Sequence, residues 1–184
     1  MTVADIDPDA LRATADAVRH DPVKGRFTFR VDGDWYGGFR LRSQVGALTH
    51  AGELDTGRAG RFTLAADEPV EVLGTDTAVS PVEYVLQALA GCYTVTLASN
   101  AALRGIALHG VHLDLEADLD LAGFLAVDPN ARPGIGVIRV AVALDAPDST
   151  DAELDELVEV LQRRSVIRDT LVNPVAVETV WRRG

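Results

Sequence analysis

Apolar positions along this chain change period several times, and each change marks an element. Near the N-terminus Leu11, Ala15 and Val18 recur at helical spacing, with Pro8 in a first turn and Pro22 past the end. That pattern predicts a peripheral helix within the first 20 residues. From Arg26 the period falls to two. Phe27, Phe29 and Val31 alternate with Arg26, Thr28 and Arg30, which predicts a strand; Asp32-Gly33-Asp34 reads as its turn and Trp35 to Val45 as the returning strand. Gly46 to Gly60 reads as a loop, and Arg61 to Ala66 and Val70 to Leu73 as two further strands.

Ser80-Pro81-Val82-Glu83 combines a capping serine, a proline suited to the first helical position and the glutamate of a capping box. The helix it opens runs to about Arg104, where Gly105 ends it. Then Val111, Leu113, Leu115, Ala117 and Leu119 alternate with His112, Asp114, Glu116, Asp118 and Asp120, as a strand does with one face on a core and one in water. Ile135 to Leu144 predicts a partner strand, reached through the turn residues Asp128-Pro129-Asn130. A second capping box, Thr150-Asp151-Ala152-Glu153, opens a helix with Leu154, Leu157, Val158 and Leu161 on its apolar face. It breaks near Arg163-Arg164-Ser165; a short helical turn reaches Leu171, and Val175 to Trp181 reads as a last strand. Hairpins interrupted by helices, without regular β-α-β alternation, predict an α+β fold. Residues 1–22 read as a helical extension and 23–184 as the main domain.

The segment from Tyr84 to Leu103 imitates a membrane span. It contains Gln87, Thr94, Thr96, Ser99 and Asn100, however, and a span needs about 20 predominantly apolar residues. It therefore reads as the central buried helix of a soluble domain. Because it has no wholly polar face, it needs cover on both sides, and a second copy of the chain is the simplest cover.

Charge narrows the function. Seventeen Lys and Arg against 28 Asp and Glu give a net charge of −11, which repels phosphate backbones and argues against nucleic acid as a partner. The single cysteine, Cys92, excludes an internal disulfide. No basic segment followed by an apolar one opens the chain, so no secretory signal is expected and the expected location is cytoplasmic. His109 and His112 point to opposite faces of a strand, so no metal site is expected. Neither a phosphate-binding glycine pattern nor a GxSxG elbow occurs, and no cofactor is expected.

Cys92 is the candidate for chemistry. A lone cysteine in a buried helix is ordinarily a small hydrophobe; a reactive one needs a cation to hold its thiolate, since an apolar pocket raises a thiol pKa. Arg30, Arg40, Arg42 and Arg61 lie on the predicted hairpin strands or turns, and spacing alone places none of them against the sulfur. Glu83 has two readings: the third residue of a capping box, or a carboxylate that orients an arginine.

From Ser80 to Tyr93, with its Ala90-Gly91-Cys92, the sequence resembles the OsmC/Ohr family. The likeness continues through Arg104-Gly105-Ile106 and returns at Ser165 to Leu171 and Asn173-Pro174-Val175. The resemblance implies an α+β sandwich in which two chains intertwine around central helices. It also implies thiol-dependent reduction of organic hydroperoxides in oxidative-stress defence, with Cys92 as the attacking sulfur. An arginine would lower the thiol pKa, Arg40 being the inexact match, and a glutamate would orient that arginine. Glu83 stands one position later than the family's glutamate, which falls on Val82. Ser165 occupies the place of the second, resolving cysteine, so the two-cysteine cycle is impossible here. A one-cysteine cycle with an external thiol reductant is the expected function. The alternatives are a non-catalytic small-molecule-binding protein, or a structural protein, on the same dimeric scaffold.

Overall fold

In the computed structural model, residues 6–183 are described; the first five residues of the expected N-terminal extension, and Gly184, lie outside them. The fold is α+β and divides into two units, one holding residues 87–118 and 137–183, the other residues 7–86 and 119–136.

The first unit is built on most of α2 (Pro81–Arg104), the antiparallel pair β7 (Gly110–Asp118) and β8 (Val137–Asp145), and the helices α4 (Asp151–Arg164) and α5 (Val166–Val172). Both capping boxes form. Ser80 Oγ accepts from Glu83 N–H while the Glu83 carboxylate accepts from Ser80 N–H, and Thr150 and Glu153 repeat the arrangement at α4. Gly105, at φ 73°, ends α2, and Ile106 N–H reaches back to the Ala101 carbonyl. Leu89, Tyr93, Leu97 and Ala101, spaced by four along α2, form one buried stripe with Leu157 and Leu161 of α4. The alternate residues Val111, Leu113 and Leu115 of β7 and Ile138, Val140 and Val142 of β8 pack against that stripe. Away from that stripe α2 keeps exposed apolar surface, Val95 being 66% exposed.

The second unit begins with α1 (Pro8–His20), capped by Asp7, and contains two three-stranded antiparallel sheets. One joins β1 (Phe27–Thr28), β4 (Leu48–His50) and β5 (Glu53–Asp55); the other joins β2 (Val31–Trp35), β3 (Leu41–Val45) and β6 (Thr63–Ala66). A short helix, α3 (Leu121–Phe124), lies in the β7–β8 connection. Four sequence expectations need correction here. Asp32-Gly33-Asp34 is not a turn but the middle of β2; Gly37 and Gly38, both at positive φ, turn the chain instead. The expected loop from Gly46 to Gly60 contains the β4–β5 hairpin, closed by Ala51-Gly52, both at positive φ as a type I′ turn requires. Val70–Val72 is a 3₁₀ turn rather than a strand, followed by Leu73 in the left-handed region. Val175 to Trp181 makes no strand: it is exposed and joins no ladder among the described residues.

The most heavily satisfied side chain of the second unit is Asp67. Fully buried, its carboxylate accepts from the N–H of Glu68, Thr75 and Thr77 and from the hydroxyls of Thr75 and Thr77, at 2.5–3.4 Å. The Thr75 hydroxyl bond is the chief cause holding its carboxyl far below the usual carboxylate range, against the opposing effect of burial. The loop from Glu68 to Thr77 is thereby closed on a single acid.

Candidate active site at Cys92

Cys92 sits half-buried in the middle of α2, one residue before the buried Tyr93. What faces its sulfur comes from the α4–α5 junction. Ser165 leaves the helical region (φ −70°, ψ 117°) and serves at once as the C-cap of α4 and the N-cap of α5. The break turns its side chain inward, where only 1% of the residue stays exposed. Ser165 Oγ accepts from Arg168 N–H at 3.3 Å and donates its one proton to Cys92 Sγ at 3.2 Å. Ile167 N–H donates to the same sulfur at 3.5 Å.

These contacts decide the acidity of the thiol. Burial pushes it up; the surrounding donors, led by Ile167 N–H and the Ser165 hydroxyl, together outweigh burial and hold it below its ordinary value. The sequence called for a cation at the sulfur; among the described residues the groups that lower the thiol pKa are neutral hydrogen-bond donors instead, which favour the charged form directly. One guanidinium does lie in the cluster. Arg168 bonds the Gln162 carbonyl at 2.9 Å and also acts on Tyr93, whose phenol is raised chiefly by burial and partly lowered by Arg168.

The other residues expected at the site are placed as follows. Arg40 belongs to the second unit; its guanidinium lies 5.0 Å from the Tyr36 ring centroid, and Nε donates to the Gly37 carbonyl. Arg42 lies on the same ring, and Arg61 over Phe62. The Glu83 carboxylate is engaged by its own capping box, and the Ser80 N–H, ahead of the Ser80 hydroxyl, lowers its pKa. Sequence reasoning missed Arg168, Ile167 and Thr96. The signal available was the helix break at Ser165, which the sequence did mark, though not the direction in which the broken ends point. Among the described residues no group of three or more His, Cys, Asp or Glu gathers to hold a metal, and no helix is long and apolar enough to cross a membrane.

The chain is thus α+β, with its one thiol hydrogen-bonded across a helix break. Its sequence places it more narrowly: residues 74–180, more than half the chain, match the OsmC-like protein family, and the chain belongs to that family. Solved structures agree on the fold. An OsmC-like protein from Mycoplasma pneumoniae superposes with a TM-score of 0.61 at 14% identity, over 79% of this chain and 87% of its own. An OsmC-like protein of unknown function from Vibrio cholerae gives 0.55 at 15%, over 78% and 92%. An organic hydroperoxide resistance protein OsmC from Legionella pneumophila gives 0.52 at 18%, over 78% and 88%. No curated protein matches the chain.

Proposed function

We propose that this protein reduces organic hydroperoxides in a one-cysteine cycle at Cys92, as a homodimer in the cytoplasm. The observation that carries the reading is the pair of donors on the sulfur, Ser165 Oγ at 3.2 Å and Ile167 N–H at 3.5 Å, which favour the thiolate needed for attack. The thiolate attacks the terminal peroxide oxygen: an S–O bond forms, the O–O bond breaks, and the alkoxide leaves and takes a proton to become the alcohol. The sulfur, now a sulfenic acid, is attacked by an external thiol, which releases water and leaves a mixed disulfide; a second thiol displaces it and restores Cys92. Ser165 holds the place of a resolving thiol and contributes a proton donor in its stead.

Dimerisation is part of the proposal. Val31 and Trp35 of β2, Leu41 of β3 and Leu64 of β6 share one sheet face by register, and Trp35 is 74% exposed. Exposed apolar surface of this extent is unusual on a monomer. Arg40 and Glu83 stay candidates for the site through such an assembly, and the helix from Pro8 to His20, with no buried residue, stays a candidate appendage.

The test is a coupled assay with cumene hydroperoxide and dithiothreitol or dihydrolipoamide. The wild type is expected to turn over and Cys92→Ser to fall at least about a hundredfold, to the rate of the thiol alone. Equal rates for the two proteins would overturn the reading.

A further inference from the structure

The break that aims Ser165 at the sulfur is crossed twice by one residue, Arg168. Its N–H, in the first turn of α5, donates to Ser165 Oγ at 3.3 Å. That bond occupies a lone pair of the hydroxyl and leaves its single proton for Cys92 Sγ, 3.2 Å away. At the other end of the residue the guanidinium donates to the Gln162 carbonyl at 2.9 Å. That carbonyl belongs to the last turn of α4, where the helix itself offers no N–H. A side chain of α5 thus caps α4. The stretch of chain closed between the two bonds carries both donors on the sulfur, Ser165 and Ile167. The half-buried guanidinium also acts on the Tyr93 phenol of α2.

We infer that Arg168 is a positioning residue for the proposed reaction: by tying the end of α4 to the start of α5, it holds the Ser165 hydroxyl and the Ile167 N–H against Cys92 Sγ. A hydroxyl on an untied break rotates and points its proton elsewhere. Hydrogen bonds weaken steeply with distance and angle, so a small opening of the break weakens both donors together. The donors that meet the sulfur are neutral, and Arg168 acts through their placement rather than through its charge. Its bearing on turnover rests on the one-cysteine reading above, whereas its effect on the thiol needs no peroxide.

The test is alkylation of the full chain by iodoacetamide, a neutral reagent whose rate follows the thiolate fraction across pH. Arg168→Met keeps an apolar stem and removes every side-chain donor. It should move the midpoint of the profile up by about half a pH unit, and slow cumene hydroperoxide reduction about threefold at pH 7. Arg168→Lys, which keeps a donor, should recover most of the loss; Arg168→Gln serves in the same profile should the Met variant not fold. In a Ser165→Ala background Arg168→Met should add less than half of its rise, since its main route to the sulfur is already gone. Ser80→Ala, which weakens α2 from its far end, should leave the midpoint in place. An unmoved midpoint in Arg168→Met, or the same rise with Ser165 absent, overturns the inference. So does a rise that disappears in about 1 M salt, which would make the charge the agent. A wild-type thiol that alkylates as expected yet turns over no peroxide would end the peroxidase reading and leave the role of Arg168 standing.

Discussion

The two units dispose of their apolar residues in opposite ways. In the first, Leu89, Tyr93, Leu97, Ala101, Leu157 and Leu161 close on one another, and every second residue of β7 and β8 adds to them. In the second, the buried residues are polar, Ser43, Asp67 and Ser80, while Phe29, Val31 and Trp35 lie open. The first unit is thus held by burial, and the second by ladder hydrogen bonds, caps and the closed loop on Asp67. The difference explains why the chain's catalytic candidate sits in the first: donors can be fixed against a sulfur only where the surrounding side chains have one packing.

That contrast can be broken most forcefully at the core. Leu157→Ala is expected to cost about 3 kcal/mol, read as a fall in Tm that is the same at every protein concentration. Trp35→Ala should cost far less in dilute solution and instead weaken association in sedimentation equilibrium. An equal, concentration-independent loss at both positions would erase the distinction between the units. Ser80→Ala removes the cap of α2 and should cost about 1 kcal/mol by denaturant titration.

Asp67 sharpens the comparison through pH. Its folded-state pKa is lowered, so the unfolded chain takes up a proton first as acid is added. The carboxylate therefore contributes stability in full above the unfolded value of about 3.9, and loses it progressively below. The Tm gap between wild type and Asp67→Asn should be widest near neutral pH and close in acid. The smallest effect belongs to Ser165→Ala. Loss of the donor should move the thiol pKa up, shift the rising limb of the pH–rate profile to higher pH and slow peroxide reduction several-fold at pH 7. Ser165→Cys should instead form a Cys92-linked disulfide on addition of peroxide, read by mass and by loss of a free thiol.

How much of this was legible depends on how local the cause is. The capping boxes at Ser80 and Thr150, the stop at Gly105 and the alternation of β7 are set by residues within a few positions of one another, and all formed. The β4–β5 hairpin went unseen because its strands are three residues long and Ala51, an unusual left-handed residue, opens its turn. Val175 to Trp181 has a strand's composition, but a strand needs a neighbour, and none is supplied among the described residues. Cys92 and Ser165 were readable from their motif, whereas the donors around the sulfur depend on how one helix break is aimed. Asp67 gave no signal at all, since its partners Thr75 and Thr77 stand at neither a helical nor a strand period.

The hydroxyl of Ser165 has a consequence in time as well as in geometry. In the proposed one-cysteine cycle, oxygen in that position offers the oxidised sulfur no internal exit, so the lifetime of the sulfenic state would be set by how fast small thiols arrive from solution. When peroxide outruns that supply, the same atom is exposed to a second oxidation, to a sulfinic acid that ordinary thiols do not reverse. On the proposed cycle, such a chain would scavenge peroxide while thiols are plentiful and switch itself off when they are exhausted.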